Sequence, residues 1–398
     1  MLKRVTLENF FSFGEPTTIE LNPGVNLLVG INGSGKSNFL KAIRLLHEAV
    51  VGKGFEKTFL QEWGGFANVA NVSGGTKDYI KLSYVVIHDL AQSHLTKYVL
   101  IIHSLGHGFY SLEENIFTAT GNNQEVLVLK RKDDVCEYAW QMEENASKVA
   151  QWKNSSTDSG ISLIPTESIF GQRNSFNISE TSAVYRYASR LSVYSSFNTS
   201  SKSAIRQPSM FGTEEKLLPT GENLNSIIQK LKNNYSLDYE KIEDLLRDIN
   251  PNFKDITFNL FGSKSYLLLR EKNLANAISI EHLSDGTLRY LLLLAIFYNP
   301  NRGEGICIDE PETGLHPDMI NTIAEAIKYA AKETQFFIAT HSPLLLNAFD
   351  LDDVLIFEKD KKNQTKVEYK SEDDFEDWNE NSLVGQLWLN GQLGGKRW

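Results

Sequence analysis

Three short runs in this chain are apolar at nearly every position: Val25-Asn26-Leu27-Leu28-Val29, Gly305-Ile306-Cys307-Ile308 and Phe336-Phe337-Ile338-Ala339. Unbroken apolar runs of this length, bounded by turn residues, are the signature of strands buried on both faces of a parallel sheet. Helical spacing follows the first two, from Asn38 to about Val50 and over 316–334, and the apolar run 290–297 precedes the second as a buried helix. Parallel strands alternating with helices predict an α/β core. Elsewhere the period shortens to two. Residues 79–87, 98–103, 115–118 and 126–130 alternate and predict an antiparallel sheet beside that core. Residues 5–10 and 18–21 read as a hairpin, and 354–358 and 366–369 as late strands.

The segments between are less regular. Residues 53–75 are Gly-rich and read as irregular, and 151–209 are rich in Ser, Asn and Thr. Within the latter, 178–191 reads as a helix exposing Tyr185 and Arg186. Helical spacing returns over 221–250, where Pro251 stops it, and strands are expected at 253–260, 265–270 and 277–281. The expected organisation is a first lobe at 1–145, a Ser-rich and helical insertion at 146–252, and a second lobe at 253–398.

Composition narrows the function. The 398 residues, 41% hydrophobic, suffice for one composite domain or two. A net charge of −10 argues against a surface that coats nucleic acid as a whole, although Lys202, Arg206, Lys230 and Lys232 leave room for a local basic patch. The two cysteines, Cys136 and Cys307, fit a reducing compartment. The N-terminus alternates as a strand does, and the run 290–297 is well short of the roughly 20 residues that span a bilayer. The expectation is a cytoplasmic protein with no membrane contact.

The chemistry concentrates in a few places. Gly30-Ile31-Asn32-Gly33-Ser34-Gly35-Lys36-Ser37 lies between a buried strand and an amphipathic helix, the context a phosphate-binding loop requires. Its glycines let backbone N–H groups converge on phosphate, and the helix N-terminus adds partial positive charge. Lys36 has the reach for the β- and γ-phosphates, and Ser37 can place a hydroxyl on Mg²⁺. Asp309 and Glu310 end an apolar strand, where open α/β sheets bind ligands. Asp309 suits a metal and Glu310 a general base; an acidic turn is the plainer alternative. His341 ends the next strand and reads either as a γ-phosphate contact or as a capping histidine. Ser284 reads as a helix N-cap, which is also an anion site. His103 and His107 bracket a turn, without a further ligand at useful spacing.

Taken together, Gly30 to Ser37, Leu283-Ser284-Asp285-Gly286, Ile306 to Glu310, Glu312-Thr313-Gly314-Leu315-His316-Pro317 and Thr340-His341-Ser342 resemble the motifs of ABC-type ATPase heads. Within these, the set is similar to the RecF, SMC and OLD branch, including the AAA-family ATPases of bacterial defence and repair loci. The resemblance covers both ends of the chain well and 145–250 weakly. It implies a P-loop NTPase fold of ABC-head type carrying an added antiparallel β-subdomain and a helical insertion. It also implies ATP and Mg²⁺ as ligands. Asn32, Gly33, Ser34, Gly35, Lys36, Ser37 and Asn38 would bind nucleotide, and Ser37, Asp309 and the candidate Q-loop residue Gln61 would bind the metal. Glu310 would be the catalytic glutamate, His341 the switch histidine, and Glu312 to Pro317 the D-loop. Ser284 and Gly286 would act in trans, on ATP held by the other subunit of a head-to-tail homodimer.

Three departures qualify the resemblance. Phe11 stands where the family often has a basic residue, Asp285 stands where transporters and SMC heads usually have Gly and so favours the OLD-like branch, and the Toprim nuclease of OLD proteins is not expected here. Asp352-Asp353 and Asp373-Asp374 lack the strand-end context of a nuclease site. The expected function is therefore an ATP-hydrolysing, dimerising switch controlling a separately encoded nuclease or toxin in anti-phage defence. The alternative is a RecF-like ATPase that contacts DNA or RNA during repair. A transporter subunit fits poorly, because 53–75 lacks a groove for a membrane partner.

Overall fold

The computed structural model describes residues 1–51, 54–73, 77–89, 94–119, 125–140, 151–154, 163–175, 179–210, 212–375 and 383–394. In chain order, the elements begin with β1 (Leu2–Glu8), β2 (Thr17–Glu20), β3 (Val25–Val29) and α1 (Lys36–Val50). A helical turn α2 (Gly54–Glu56) runs into a π-helix (Lys57–Glu62), followed by α3 (Phe66–Val69). Then come β4 (Tyr79–Asp89), β5 (His94–Gly106), β6 (Phe109–Ala119), β7 (Glu125–Lys132), β8 (Val135–Trp140) and β9 (Gln151–Asn154). The middle holds α4 (Ser179–Ser189), β10 (Leu191–Tyr194), β11 (Ser209–Met210), α5 (Leu224–Asn234), α6 (Ser236–Ile249), β12 (Phe253–Phe261), β13 (Lys264–Glu271) and β14 (Ile278–Ser279). The chain closes with α7 (Asp285–Phe297), β15 (Gly305–Asp309), α8 (Pro317–Ala330), β16 (Gln335–Ala339), α9 (Pro343–Leu346), β17 (Val354–Lys359), β18 (Thr365–Glu368) and α10 (Val384–Leu389).

The chain forms two compact units, each gathered from separate stretches. Met1–Pro23, Gly30–Leu191 and Ile356–Glu368 make the first; Gly24–Val29, Ser192–Leu355 and Tyr369–Trp398 make the second.

In the first unit the alternating segments pair as an antiparallel sheet in the order β2-β1-β4-β5-β6-β7-β8-β9. Helix α1 lays its apolar stripe, including Phe39, Ile43, Leu46 and Val50, inward, and Tyr84 of β4 donates to the Ala42 carbonyl at 2.7 Å. The sheet buries one ion pair completely, Arg131 with Glu114. Tyr98 and Ser168 hydroxyls donate to the same carboxylate at 2.6 and 2.7 Å, and Arg131 donates to the carbonyls of Ile164 and Glu167. This cluster ties the coil around 163–170 to the sheet. His103 Nε2 sits 3.1 Å from Glu113 Oε2 on the neighbouring strand. A carboxylate therefore does reach it, but no group of three metal-ligating side chains occurs among the described residues.

In the second unit the three apolar runs become β3, β15 and β16. They pair in parallel with Ile308↔Ile338 and Ile338↔Leu27 in register, and all but Asp309 are buried. The expected strands and helices between 221 and 271 form as α5, α6, β12 and β13, the strands joined by β11 and β14 into a small antiparallel sheet. Helix α7 is buried from Tyr290 to Phe297. Among the described residues no helix is long and apolar enough to cross a membrane.

Four expectations need correction. The stretch 53–75 is mostly helical where described, because Phe55 and Phe59 are both buried and stack at 5.6 Å, which outweighs the local glycines. Residues 191–194 are a strand, β10, beside β15; their Ser-rich flanks hid the pattern. Tyr185 is half-buried, and only Arg186 is exposed. The strand expected at 277–281 is reduced to Ile278–Ser279, after which Ile280–His282 coils into a 3₁₀ turn.

Candidate functional site

In the first unit the loop 30–35 opens directly into α1. A methyl group on Gly30 would lie 2.2 Å from the Phe357 carbonyl oxygen, so only glycine fits. Gly35 has φ 115°, and its Cβ would meet Thr365 Oγ1 at 2.3 Å and Ser12 Oγ at 2.8 Å. Lys36 is buried and folds back on the loop, donating from Nζ to the carbonyls of Gly30 (2.8 Å) and Ile31 (3.2 Å). Asn32, Gly33 and Ser37 are exposed and Asn38 is half-buried. No side chain caps α1, and the positive end of a helix macrodipole favours an anion. This loop, with its glycine cradle and uncapped helix, fits a polyphosphate.

The loop is braced by residues the sequence did not single out. Thr365 Oγ1 of β18 donates to the Ser34 carbonyl at 2.6 Å and lies 2.7 Å from Ser12 Oγ. Asn38 donates to the same Ser12 oxygen at 2.9 Å, and the backbone N–H of Thr365 donates to the Ser12 carbonyl at 2.7 Å. Beside Ser12, Phe11 adopts φ 47°. Lys41 Nζ sits 4.2 Å over its ring, and burial lowers the Lys41 pKa from its ordinary value. A lysine on α1 thus places a cation against the Phe11 ring. Gln61 lies exposed in the π-helix.

In the second unit the strand ends β15 and β16 gather Asp309, Glu310 and His341. The Glu310 N–H donates to the Ala339 carbonyl at 2.8 Å, which holds Glu310 in a left-handed backbone, φ 50°. For a non-glycine residue that conformation costs on the order of 1 kcal/mol. The Glu310 carboxylate is 48% exposed and lies 3.9 Å from His341 Nε2, with Thr313 Oγ1 donating to it at 3.1 Å. A cavity of about 270 Å³ opens at this edge, lined by Ser195, Ser196, Arg289, Asp309, Glu310 and Thr313 among others. It has room for water beside a carboxylate able to accept a proton. Ser195 and Ser196 follow β10, and the missed strand is why the sequence did not point to them.

Glu312 has a role the sequence reading missed. Its Oε1 accepts from Thr340 Oγ1 (2.6 Å), the His341 N–H (3.0 Å) and the Ser342 N–H (3.1 Å), so this carboxylate fixes the turn that carries His341. Its Oε2 is buried with no hydrogen-bond partner among the described residues. Burial pushes the carboxyl above the usual carboxylate range, against the opposing pull of those hydrogen bonds.

Ser284 caps α7 as expected, its Oγ accepting from the Thr287 N–H at 3.1 Å. Gly286 approaches the turn after β15 so closely that its Cβ would lie 3.0 Å from the Gly314 carbonyl. Arg289, one turn on, donates to the Thr313 carbonyl at 3.3 Å. The start of α7 and the segment at Thr313 and Gly314 are therefore packed together within this unit.

Comparison with known proteins agrees with this architecture. Residues 25–134 and 148–347 match the family described as "AAA domain, putative AbiEii toxin, Type IV TA system". "Retron Ec83 probable ATPase" of Escherichia coli is 24% identical over 406 residues, which covers 90% of this chain and 71% of that protein. "DNA replication and repair protein RecF" of Staphylococcus haemolyticus (strain JCSC1435) is 34% identical over 108 residues, 25% of this chain and only 29% of RecF. A solved structure, "Crystal structure of the SmcHead bound to the C-winged helix domain of ScpA", superposes with a TM-score of 0.56 at 14% identity, covering 93% of this chain and 98% of that one. That likeness is one of fold. The chain belongs to the AAA-domain family that spans its P-loop and strand-end motifs, and it is an ATPase with the P-loop head fold of the SMC and RecF type.

Proposed function

We propose that this ATPase is a nucleotide-driven switch that closes as a head-to-tail homodimer and controls a separately encoded effector, a nuclease or toxin, in cytoplasmic defence against phage. The observation that carries the reading is the pairing of Glu310 with His341 at adjacent strand ends, in a chain whose β3 leads straight into a phosphate-binding loop. The defence role draws on the retron ATPase relative and on the toxin named in the family description.

Bound ATP supplies the anhydride whose cleavage resets the switch, and Mg²⁺ offsets the charge of its phosphates. Lys36 and the N-terminus of α1 hold the phosphates, with Asn32, Gly33, Ser34, Gly35 and Asn38 shaping the loop around them. Ser37 and Asp309 hold the metal, with Gln61 as the further candidate. Glu310 accepts a proton from the attacking water and His341 orients it. Ser284 and Gly286 serve the nucleotide held by the twin. Intrinsic nuclease activity forms no part of the reading.

Glu310→Gln tests it. This variant should bind ATP, turn over about 10²–10⁴-fold more slowly and accumulate as a dimer in sedimentation runs with ATP. Wild-type turnover would remove Glu310 as the base. Ser284→Arg should leave monomer binding intact and block dimerisation. The RecF match favours a second reading, a DNA-dependent ATPase. Hydrolysis stimulated by DNA and lost with rising salt would support that reading over an effector switch.

A further inference from the structure

The loop that leads to Ser284 is held by an arginine from far earlier in the chain. Arg206 ends the 3₁₀ turn Ala204–Arg206 and is 4% exposed. Its Nε donates to the Thr199 carbonyl at 2.8 Å. Nη1 reaches the carbonyls of Ile280 (3.0 Å), Glu281 (3.1 Å) and Leu283 (2.8 Å). Nη2 donates to Asp285 Oδ1 at 2.7 Å. One guanidinium therefore gathers the backbone of 280–283 and the first side chain of α7. The loop itself has modest means of holding its shape: a single 3₁₀ turn, Ile280–His282, whose N-cap Ser279 accepts from the Glu281 N–H.

The geometry asks for arginine specifically. A planar fork with five N–H donors can serve carbonyls on one side and a carboxylate on the other, which a lysine ammonium cannot reproduce. The partner is equally specific. The Asp285 side chain is 65% exposed while Arg206 is buried. An exposed aspartate in the first turn of a helix needs no buried arginine to be stable there. A buried arginine beneath three inward-turned carbonyls, however, gains a counter-charge from it.

We propose that Arg206 is the positioning residue of the signature loop, with Asp285 as its counter-ion. Together they preset the Ser284–Gly286 end of α7 for docking on a second copy of this chain. The inference rests on the reading of Ser284 as a contact made in trans. It assigns a task to one of the basic residues that composition had left as a candidate nucleic-acid patch: Arg206 is committed inside the protein and is not part of a basic surface.

The test uses the full chain carrying Arg206→Lys, Asp285→Asn, both changes, or Ser284→Arg. Nucleotide affinity is measured on dilute protein, dimer fraction with ATP by sedimentation in a Glu310→Gln background, and turnover against protein concentration. Arg206→Lys should leave ATP affinity within about twofold and raise the concentration for half-maximal dimer about tenfold or more, as expected when charge-assisted hydrogen bonds are lost. Asp285→Asn should shift it in the same direction by a smaller factor. The double variant should be no worse than Arg206→Lys alone, because the two act as one unit. If Arg206→Lys will not fold, Asp285→Asn at its exposed position still decides: unchanged dimerisation overturns the proposal. Independent, multiplying effects of the two changes also overturn it. If Ser284→Arg blocks dimerisation while Arg206→Lys and Asp285→Asn do not, this inference fails and the trans reading survives. If none of the variants affects dimerisation, the trans reading falls and takes this inference with it.

Discussion

Replacing Glu312 by alanine removes the acceptor on which the turn after β16 is hung. Three donors lose it: Thr340 Oγ1, the His341 N–H and the Ser342 N–H, at 2.6, 3.0 and 3.1 Å. The Ser342 N–H retains Thr340 Oγ1 at 3.0 Å, so the loss falls mainly on Thr340 and His341. A hydrogen bond to an ionised group contributes about 1.5–3 kcal/mol, and two such bonds set the gross scale. Against this stands the cost of burying the carboxylate, seen in the upward push on its pKa. The net expectation for Glu312→Ala is a loss of about 2–4 kcal/mol, and for Glu312→Gln, which keeps one carbonyl acceptor, about 1 kcal/mol. Urea unfolding of the nucleotide-free chain measures both. A loss below about 0.5 kcal/mol for the alanine variant would refute the claim that this carboxylate holds the turn. The pH dependence is a second check. Because burial raises the folded-state pKa above 4.5, folding takes up a proton at this group. Its contribution is fully present below the unfolded value and is lost as pH rises through the folded one. The stability advantage of wild type over Glu312→Gln should therefore shrink as pH rises above 4.5; an advantage that grows would contradict the assigned direction.

Three further outcomes are expected. Lys36→Ala should abolish ATP binding in calorimetry with little change in melting temperature, since the ammonium's hydrogen bonds to the Gly30 and Ile31 carbonyls stay within the loop itself. Thr365→Val, which keeps the shape and deletes the bond to the Ser34 carbonyl, should cost about 1 kcal/mol, read as a several-fold weaker ATP affinity. Unchanged affinity would show that the brace does not matter to the loop. Arg131→Ala should destabilise the chain by about 3–5 kcal/mol in urea titrations, because it leaves the fully buried Glu114 carboxylate without its counter-charge.

Much of this architecture was legible in the residues because its strongest signals are local. The runs that become β3, β15 and β16 are apolar throughout, since strands covered on both faces admit nothing else. Ser284 and Pro317 marked helix starts by their own chemistry. What escaped was set by partners far away. Residues 191–194 look like loop, and only the edge of β15 makes them a strand. Phe55 and Phe59 override their glycine-rich setting because they find Tyr110, at 6.2 and 4.9 Å from their rings. Neither Arg206 nor Thr365 carries a motif; each gains its role from backbone carbonyls dozens to hundreds of positions away. Glu312 was visible as part of a motif, but not the direction in which its carboxylate turns.

The brace on the phosphate loop has a consequence for how the protein comes into being. During synthesis Ser34 emerges early, whereas Thr365 follows 331 positions later, and β3 likewise waits for β16 to arrive beside it. Contacts of such long sequence separation form slowly and late. A growing chain on the ribosome thus carries an unbraced nucleotide loop until Thr365 is made, and messages cut short upstream of that threonine yield products lacking the tuned grip on triphosphate. Synthesis as far as that threonine becomes a first control on when this ATPase can engage its fuel.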